Sequence, residues 1–347
     1  MPTAPGLPSL KGVQIRPVDV HDDAELARFH AIIEAADRFE RPYAPPWTYR
    51  ELAVELRRPV PGERLTAWAA FDDQELIGAA WAYDSLLDNT DKCWLQVSVE
   101  PQRRCRGIGS ALARFLVQRC ADVGRGVLLA ETAYPFEAAA DHPYRRFAET
   151  HGFALASTEV HRVLDLPLDG TLLEALAAEA TPHHPAYRVR TLTGVVPATL
   201  LPSLCALRNQ LAVDAPTGDI DYEAEAETPE VYLERDARLR EQGRVRLTTV
   251  ALDGAGQVVG YTDLSVSLDE PRHAHQWGTM VRRDHRGHRL GMAIKVRNLQ
   301  ALQVAHPGVE MVHTGNADVN AHMIAINEAL GFRAVEALPE FQRKLAL

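Results

Sequence analysis

The chain has 347 residues, 46% of them hydrophobic and 24% charged, with a formal net charge of −10. That length suits two domains that each bury a core, and the composition excludes a disordered or low-complexity chain. The acidic balance argues against a nucleic-acid surface, no apolar stretch is long enough to cross a bilayer, and the first residues lack the pattern of a signal peptide, so a cytoplasmic protein is expected.

In chain order, residues 13–18 read as a strand, 22–36 and 49–56 as helices, and 65–71 with 75–83 as a hairpin. Residues 92–99 form a strand that runs into Glu100-Pro101-Gln102-Arg103-Arg104-Cys105-Arg106-Gly107-Ile108-Gly109-Ser110. A helix over 109–123 follows, with Ile108, Leu112, Phe115, Leu116 and Cys120 at helical spacing. Residues 127–132 are a buried strand, 143–150 a helix and 153–164 a closing strand. A short Ala- and Leu-rich helix in 167–185 ends in Pro182-His183-His184-Pro185 and reads as a linker.

The plan then repeats. Strand 187–192, helices within 197–213 and 229–242, and strands 246–252 and 258–265 lead to strand 275–281, helix 290–306, strand 309–314, helix 320–330 and strand 332–345. Arg104 and Arg286 are 182 positions apart, and Arg286-Gly287-His288-Arg289-Leu290-Gly291 answers Arg104-Cys105-Arg106-Gly107-Ile108-Gly109. Gly152-Phe153 is matched by Gly331-Phe332. Such a period means duplicated domains, 1–166 and 186–347 joined by 167–185, and not a solenoid. The expected architecture is α/β (α+β), with two mostly antiparallel sheets flanked by helices.

Each strand-to-helix junction is a candidate pyrophosphate cradle, because a helix start offers unpaired N–H groups and a positive dipole end. Glycines at 107 and 109 let a ligand approach the backbone, and Arg104 and Arg106 add charge. Cys93, Cys105, Cys120 and Cys205 lack CxxC spacing and are expected as free thiols, with no metal site. A Rossmann-type dinucleotide site is disfavoured by the short antiparallel strand pair before each cradle.

On these residues the chain resembles the GNAT acyltransferase superfamily, whose cofactor motif is Arg or Gln, two residues, Gly, one residue, then Gly or Ala. The first copy fits; the second places Arg289 where the middle glycine belongs. The tandem arrangement is similar to that of mycothiol synthase-like actinobacterial enzymes. The resemblance implies two tandem GNAT domains, each with a splayed strand that takes the pantetheine of acetyl-CoA. Val97 and Val99, or Thr279 and Val281, would contact that arm. Arg104, Arg106, Gly107, Gly109 and Ser110 would hold the diphosphate, as would Arg286, Gly287, His288, Arg289, Leu290 and Gly291. The implied chemistry is attack of a small-molecule amine on the thioester in a ternary complex, by a monomer or homodimer.

Related enzymes often place a tyrosine two to five residues before the Gly-Phe pair, and neither half has one. The expected catalytic residues are His275 as base, with Asn316 and Asn327 nearby, and Glu131 as a water-mediated base in the first half. Asn320 is either a cofactor contact or a helix cap. This cluster favours the second half as the catalytic one. An acyl-CoA sensor without turnover is the alternative, and the acidic stretch 219–227 is either a steering surface or a solvated loop.

Overall fold

Local signals start the elements where the patterning places them. In the computed structural model, which describes residues 12–136 and 141–346, the first half runs β1 (Val13–Pro17), α1 (Asp23–Arg38), α2 (Tyr49–Arg57), β2 (Glu63–Asp72), β3 (Glu75–Ser85), β4 (Lys92–Ser98), α3 (Ile108–Asp122), β5 (Val127–Glu131), α4 (Pro143–Thr150) and β6 (Ala154–Asp165). The Asp22 side chain accepts from the N–H groups of Ala24 and Glu25 to open α1. Thr48 and Glu51 form a capping box that opens α2.

The second half runs α5 (Gly170–Ala180), β7 (Arg188–Thr193), α6 (Leu201–Arg208), α7 (Leu211–Asp214), α8 (Pro229–Glu241), β8 (Arg244–Leu252), β9 (Val258–Ser267), β10 (His273–Val281), α9 (Leu290–Ala305), β11 (Met311–Ala317), α10 (Ala321–Ala329) and β12 (Arg333–Lys344). Helix α5 lies in the segment read as a linker, and it is packed. Its Leu173 joins Val296, Leu299 and Leu302 of α9 in one apolar cluster.

The strands form one twelve-stranded sheet in the order β1-β2-β3-β4-β5-β12-β6-β11-β10-β9-β8-β7. Neighbours are antiparallel except β4 with β5 and β10 with β11. The halves exchange their closing strands: β12 lies between β5 and β6, and β6 pairs with β11. Two separate sheets were expected, and one continuous sheet is found. Sequence periodicity carries no information on this, because a strand's alternation is satisfied equally by either neighbour.

The face of the sheet under α3 buries Leu95, Leu112, Leu116, Leu128 and Phe341. The opposite face buries Leu26, Phe29 and Ile32 of α1 against Ala67 and Ala69. The acidic stretch 219–227 is a strap between the halves. Glu223 accepts from the Asn89 N–H at 3.0 Å, Tyr222 donates to Glu340 at 2.9 Å, and the buried Glu227 is paired with Arg208 and Arg235.

Candidate functional site

Both parallel strand pairs split. Strand β4 pairs with β5 only at Lys92, Cys93 and Trp94, so its edge from Leu95 to Ser98 is open toward β5. Strand β10 pairs with β11 only at His273, Ala274 and His275. The two splits have the same origin and opposite contents.

The first split opens into a chamber of about 1000 Å³ lined by Val97, Val99, Arg104, Gly107, Gly109 and Ser110 among others. Gly107 caps α3 in the left-handed region at φ 88°, where a glycine carries no steric penalty. The first helical hydrogen bond runs from Ala111 N–H to Gly107 C=O, so the N–H groups of Ile108, Gly109 and Ser110 have no partner within the helix. Arg104 donates through Nε to the Val99 carbonyl at 3.1 Å and lies over the rings of Phe39 and Tyr144. Arg106 is exposed and donates only to the Gln102 carbonyl. Neither arginine has a carboxylate partner among the described residues, so both keep their charge for an anion.

The second split is filled. The side chain of Lys295, 1% exposed, donates to Asn327 Oδ1 at 2.7 Å, and Asn327 donates to Asn316 Oδ1 at 3.0 Å. Thr314 Oγ1 bridges the gap to the Gln276 carbonyl at 3.3 Å. Counted from the matched arginines and the matched Gly-Phe pairs, the first half has Ala113 where Lys295 stands and Ala148 where Asn327 stands. Both alanines line the open chamber. Asn316 and Asn327, expected to serve catalysis, are committed to this interior network. Burial pushes the Lys295 pKa down to about 7.

The second cradle is neutralised as well. Asp214 takes Arg283 at 2.6 Å and Arg286 at 2.7 Å, Glu179 of α5 takes Arg289, and His288 contacts the His183 carbonyl. Arg289 occupies the left-handed cap position at φ 51° that glycine holds in the first half. Leu290 is core, Thr279 hydrogen-bonds Thr262, and the Asn320 side chain accepts from Met323 N–H, which makes it a cap. None of Thr279, Val281, Arg286, Gly287, His288, Arg289, Leu290, Gly291 or Asn320 lines the chamber.

The chamber instead crosses the sheet into the second half. Glu131 stands on its wall beside the first split, and His161, His313 and His275 line the far end. Glu131 is exposed to the chamber, and the protein packed around it, with the charges of Glu159 and Glu340, raises its pKa to about 8. Burial and then the Arg244 charge hold His275 well below its usual range, so its imidazole is neutral at pH 7. Four strand steps separate β5 from β10, on the order of 19 Å, so Glu131 and His275 do not serve one reacting centre.

A run of side chains extends from that end. His273 Nδ1 lies 2.9 Å from His313 Nε2, His313 Nδ1 lies 3.1 Å from His161 Nε2, and His161 Nδ1 lies 2.9 Å from Glu336. Arg41 holds Glu336 with two bonds of 3.0 Å. Sequence reasoning missed His161, Trp81, Trp94 and Asp37, all on the chamber wall, because each sits in an unremarkable element far from the cradle in sequence. Among the described residues no group could hold a metal ion, and no helix is long and apolar enough to cross a membrane.

The model of the Acetyltransferase (GNAT) family matches residues 28–153. A solved tandem GNAT protein from the clavulanic acid biosynthesis pathway is 24% identical, with 96% of this chain and 99% of that one covered and a TM-score of 0.76. A GCN5-related N-acetyltransferase from Sphaerobacter thermophilus is 15% identical over 98% and 97%, with a TM-score of 0.64. N-myristoyltransferase of Saccharomyces cerevisiae, solved with myristoyl-CoA and inhibitors, is 12% identical over 97% and 81%, with a TM-score of 0.60. No curated protein matches. The fold is thus that of two tandem GNAT domains, and the segment carrying the family's sequence signature is the one that holds the open cradle.

Proposed function

We propose that the chain transfers an acyl group, acetyl in the simplest case, from an acyl-CoA thioester to an amine, and that the first half's split is the reacting cleft. The contrast between the two splits carries this reading: the first is open, glycine-capped and flanked by unpaired arginines, and the second is filled by Lys295, Asn327 and Asn316. This reverses the sequence-based preference for the second half.

The open edge of β4 is suited to the pantetheine amides, and the free N–H groups of Ile108, Gly109 and Ser110 to the diphosphate. Glu131, titrating near 8, is suited to take the proton of the attacking ammonium. The amine nitrogen then bonds the acyl carbon and the carbon–sulfur bond breaks; the surplus proton left on that nitrogen passes to the thiolate to give free CoA, and the proton held by Glu131 is released to solvent. The missing tyrosine is no obstacle to this route. Tyr144, the tyrosine nearest in sequence, packs against Arg104 at the cradle.

Titration calorimetry of acetyl-CoA onto the full chain tests the reading, with one site per chain expected. A stoichiometry of two, or no binding, overturns it. The release of free thiol in the presence of an amine panel separates a transferase from a sensor.

A further inference from the structure

We propose that the acceptor amine carries an aromatic ring on a short aliphatic linker, and that Trp47, Trp81 and Trp94 hold the ring while the nitrogen faces Glu131. The proposal rests on the acyl-transfer reading above and adds the substrate class.

Four of the chain's five tryptophans line the chamber, and three of them, Trp47, Trp81 and Trp94, belong to the first half. Trp68 instead packs in the core under α3, edge-to-face with Phe115. The three are only half-buried, so each leaves ring surface in the cavity that no protein group covers. Trp94 is fixed in place by Tyr83 at 5.7 Å, edge-to-face, and by the parallel ring of Tyr222 at 6.2 Å.

The strand register sets these rings beside the proposed base. Trp94 is the last residue of β4 to pair with β5, so it marks the point at which the strands part. Its partner is Leu129, and Glu131 follows two positions later on the same face of β5. Trp81 of β3 faces Gln96, two positions beyond Trp94 on the open edge of β4. Trp81, Trp94 and Glu131 therefore project to one side of the sheet, the side on which Trp47 and Trp81 pack against the α1 cluster. Two strand steps separate β3 from β5, ~10 Å, which leaves room for a ring and a short linker.

A second, independent observation points to a ligand at these same strands. Ser98 is 2% exposed and its Oγ has no partner, and Trp81 Nε1 is likewise buried and unpaired. Ser98 is the cross-strand partner of Ala79, which packs in the α1 cluster with Trp81, so both residues face the same part of the chamber. Unsatisfied buried polar atoms are costly, and a ligand there supplies what the protein does not.

The charge assigns the ring to the amine and not to the acyl group. The end of α1 reaches over the split: the Ala36 carbonyl takes Arg104 of the cradle at 3.4 Å, and the Asp37 carbonyl takes Arg41, which holds Glu336 of β12. Asp37 lines the chamber there. Of the cations near its carboxylate, Arg41 is committed to Glu336 and His30 to the Trp47 carbonyl, so the carboxylate has no partner among the described residues. An unpaired carboxylate and open indole faces both attract an ammonium group, which an acyl chain lacks.

The test is titration calorimetry of the full chain, without acyl-CoA, against phenethylamine and butylamine. Phenethylamine is expected to bind at least about tenfold more tightly. Trp47→Leu and Trp81→Leu are each expected to bring it to within about threefold of butylamine, with Tm and acetyl-CoA binding read alongside as the check on folding. Equal affinity of the unaltered protein for the two amines overturns the proposal whatever the variants do, and so does full selectivity in both variants. A tenfold preference for phenylacetyl-CoA over acetyl-CoA with no preference between the amines puts the ring on the donor and overturns it as well. Selective phenethylamine binding with no thiol release from acetyl-CoA sinks the transferase reading and leaves the aromatic-amine site standing. Thiol release with both amines and no selectivity does the reverse.

Discussion

Lys295 and Asn327 meet at 2.7 Å inside the second split, at the positions that Ala113 and Ala148 leave empty in the first. One pair of side chains thus separates a filled cleft from an open one. Transplanting the lysine alone, as Ala113→Lys, puts a long side chain where pantetheine is proposed to lie. Acetyl-CoA affinity is expected to fall by at least about a hundredfold, ~2.7 kcal/mol, as read by calorimetry. Arg286→Ala in the second cradle is expected to leave it unchanged.

The Lys295 side chain also sets a pH dependence of folding. Its pKa is near 7 in the folded chain and 10.5 in the reference state, so the unfolded chain binds more protons between these values. Stability therefore rises with pH from 7 to 10.5, with a slope approaching 1.36 kcal/mol per pH unit from this one group. Lys295→Met should lose that slope. Urea denaturation at pH 7, 8 and 9 for both proteins measures it, and parallel curves would refute the assignment.

Glu131 controls the proposed reaction through its charge. With a pKa near 8 it must be deprotonated to accept the ammonium proton, so kcat/KM is expected to rise with pH and level off above 8. Glu131→Gln should remove this inflection and lower kcat by about 10² to 10⁴ while acetyl-CoA still binds. An unchanged pH profile in the variant would exclude Glu131 as the base.

Glu336 ties the closing strand to the first half. Arg41 and His161 hold its carboxylate, and although burial opposes ionisation, their hydrogen bonds bring its pKa down to about 2. Its folded value lies below its reference of 4.5, so the stabilisation is complete above pH 4.5 and is lost as pH falls toward 2. Glu336→Gln leaves the buried Arg41 without a counter-charge and is expected to cost about 3 to 5 kcal/mol at neutral pH. Thermal unfolding at pH 7 and 4 checks both the size and the direction.

Much of this was legible in the residues. The duplication, the strand-to-helix cradles and the elements between them followed from periodicity and matched motifs, and the cap at Asn320 was one of its two stated readings. The filled second split was not read from the sequence, which favoured the second half as the catalytic one: Lys295 stands in the helix after the second cradle at the position of Ala113 and drew no attention there. The polarity of Asn316 and Asn327 pointed to chemistry, and only the fold showed them satisfying Lys295 and one another. The far part of the chamber wall was not readable in advance. Leu338 and Phe341 join Glu131 on it because β12 enters the first half, and a long-range strand pairing leaves no trace in local sequence.

That crossing of strands has a consequence for synthesis. The segment Arg333–Lys344 follows every other strand in the sequence, yet it completes the sheet between β5 and β6. The early part of the polypeptide must therefore wait, with the edges of β5 and β6 unzipped, until that segment has been made. A truncated transcript or a nick near the C-terminus removes a wall of the chamber more than 200 positions upstream of the lesion, where Glu131 stands. A gene split between its repeats would yield two proteins that each lack a strand, and neither product would inherit the parent's cavity.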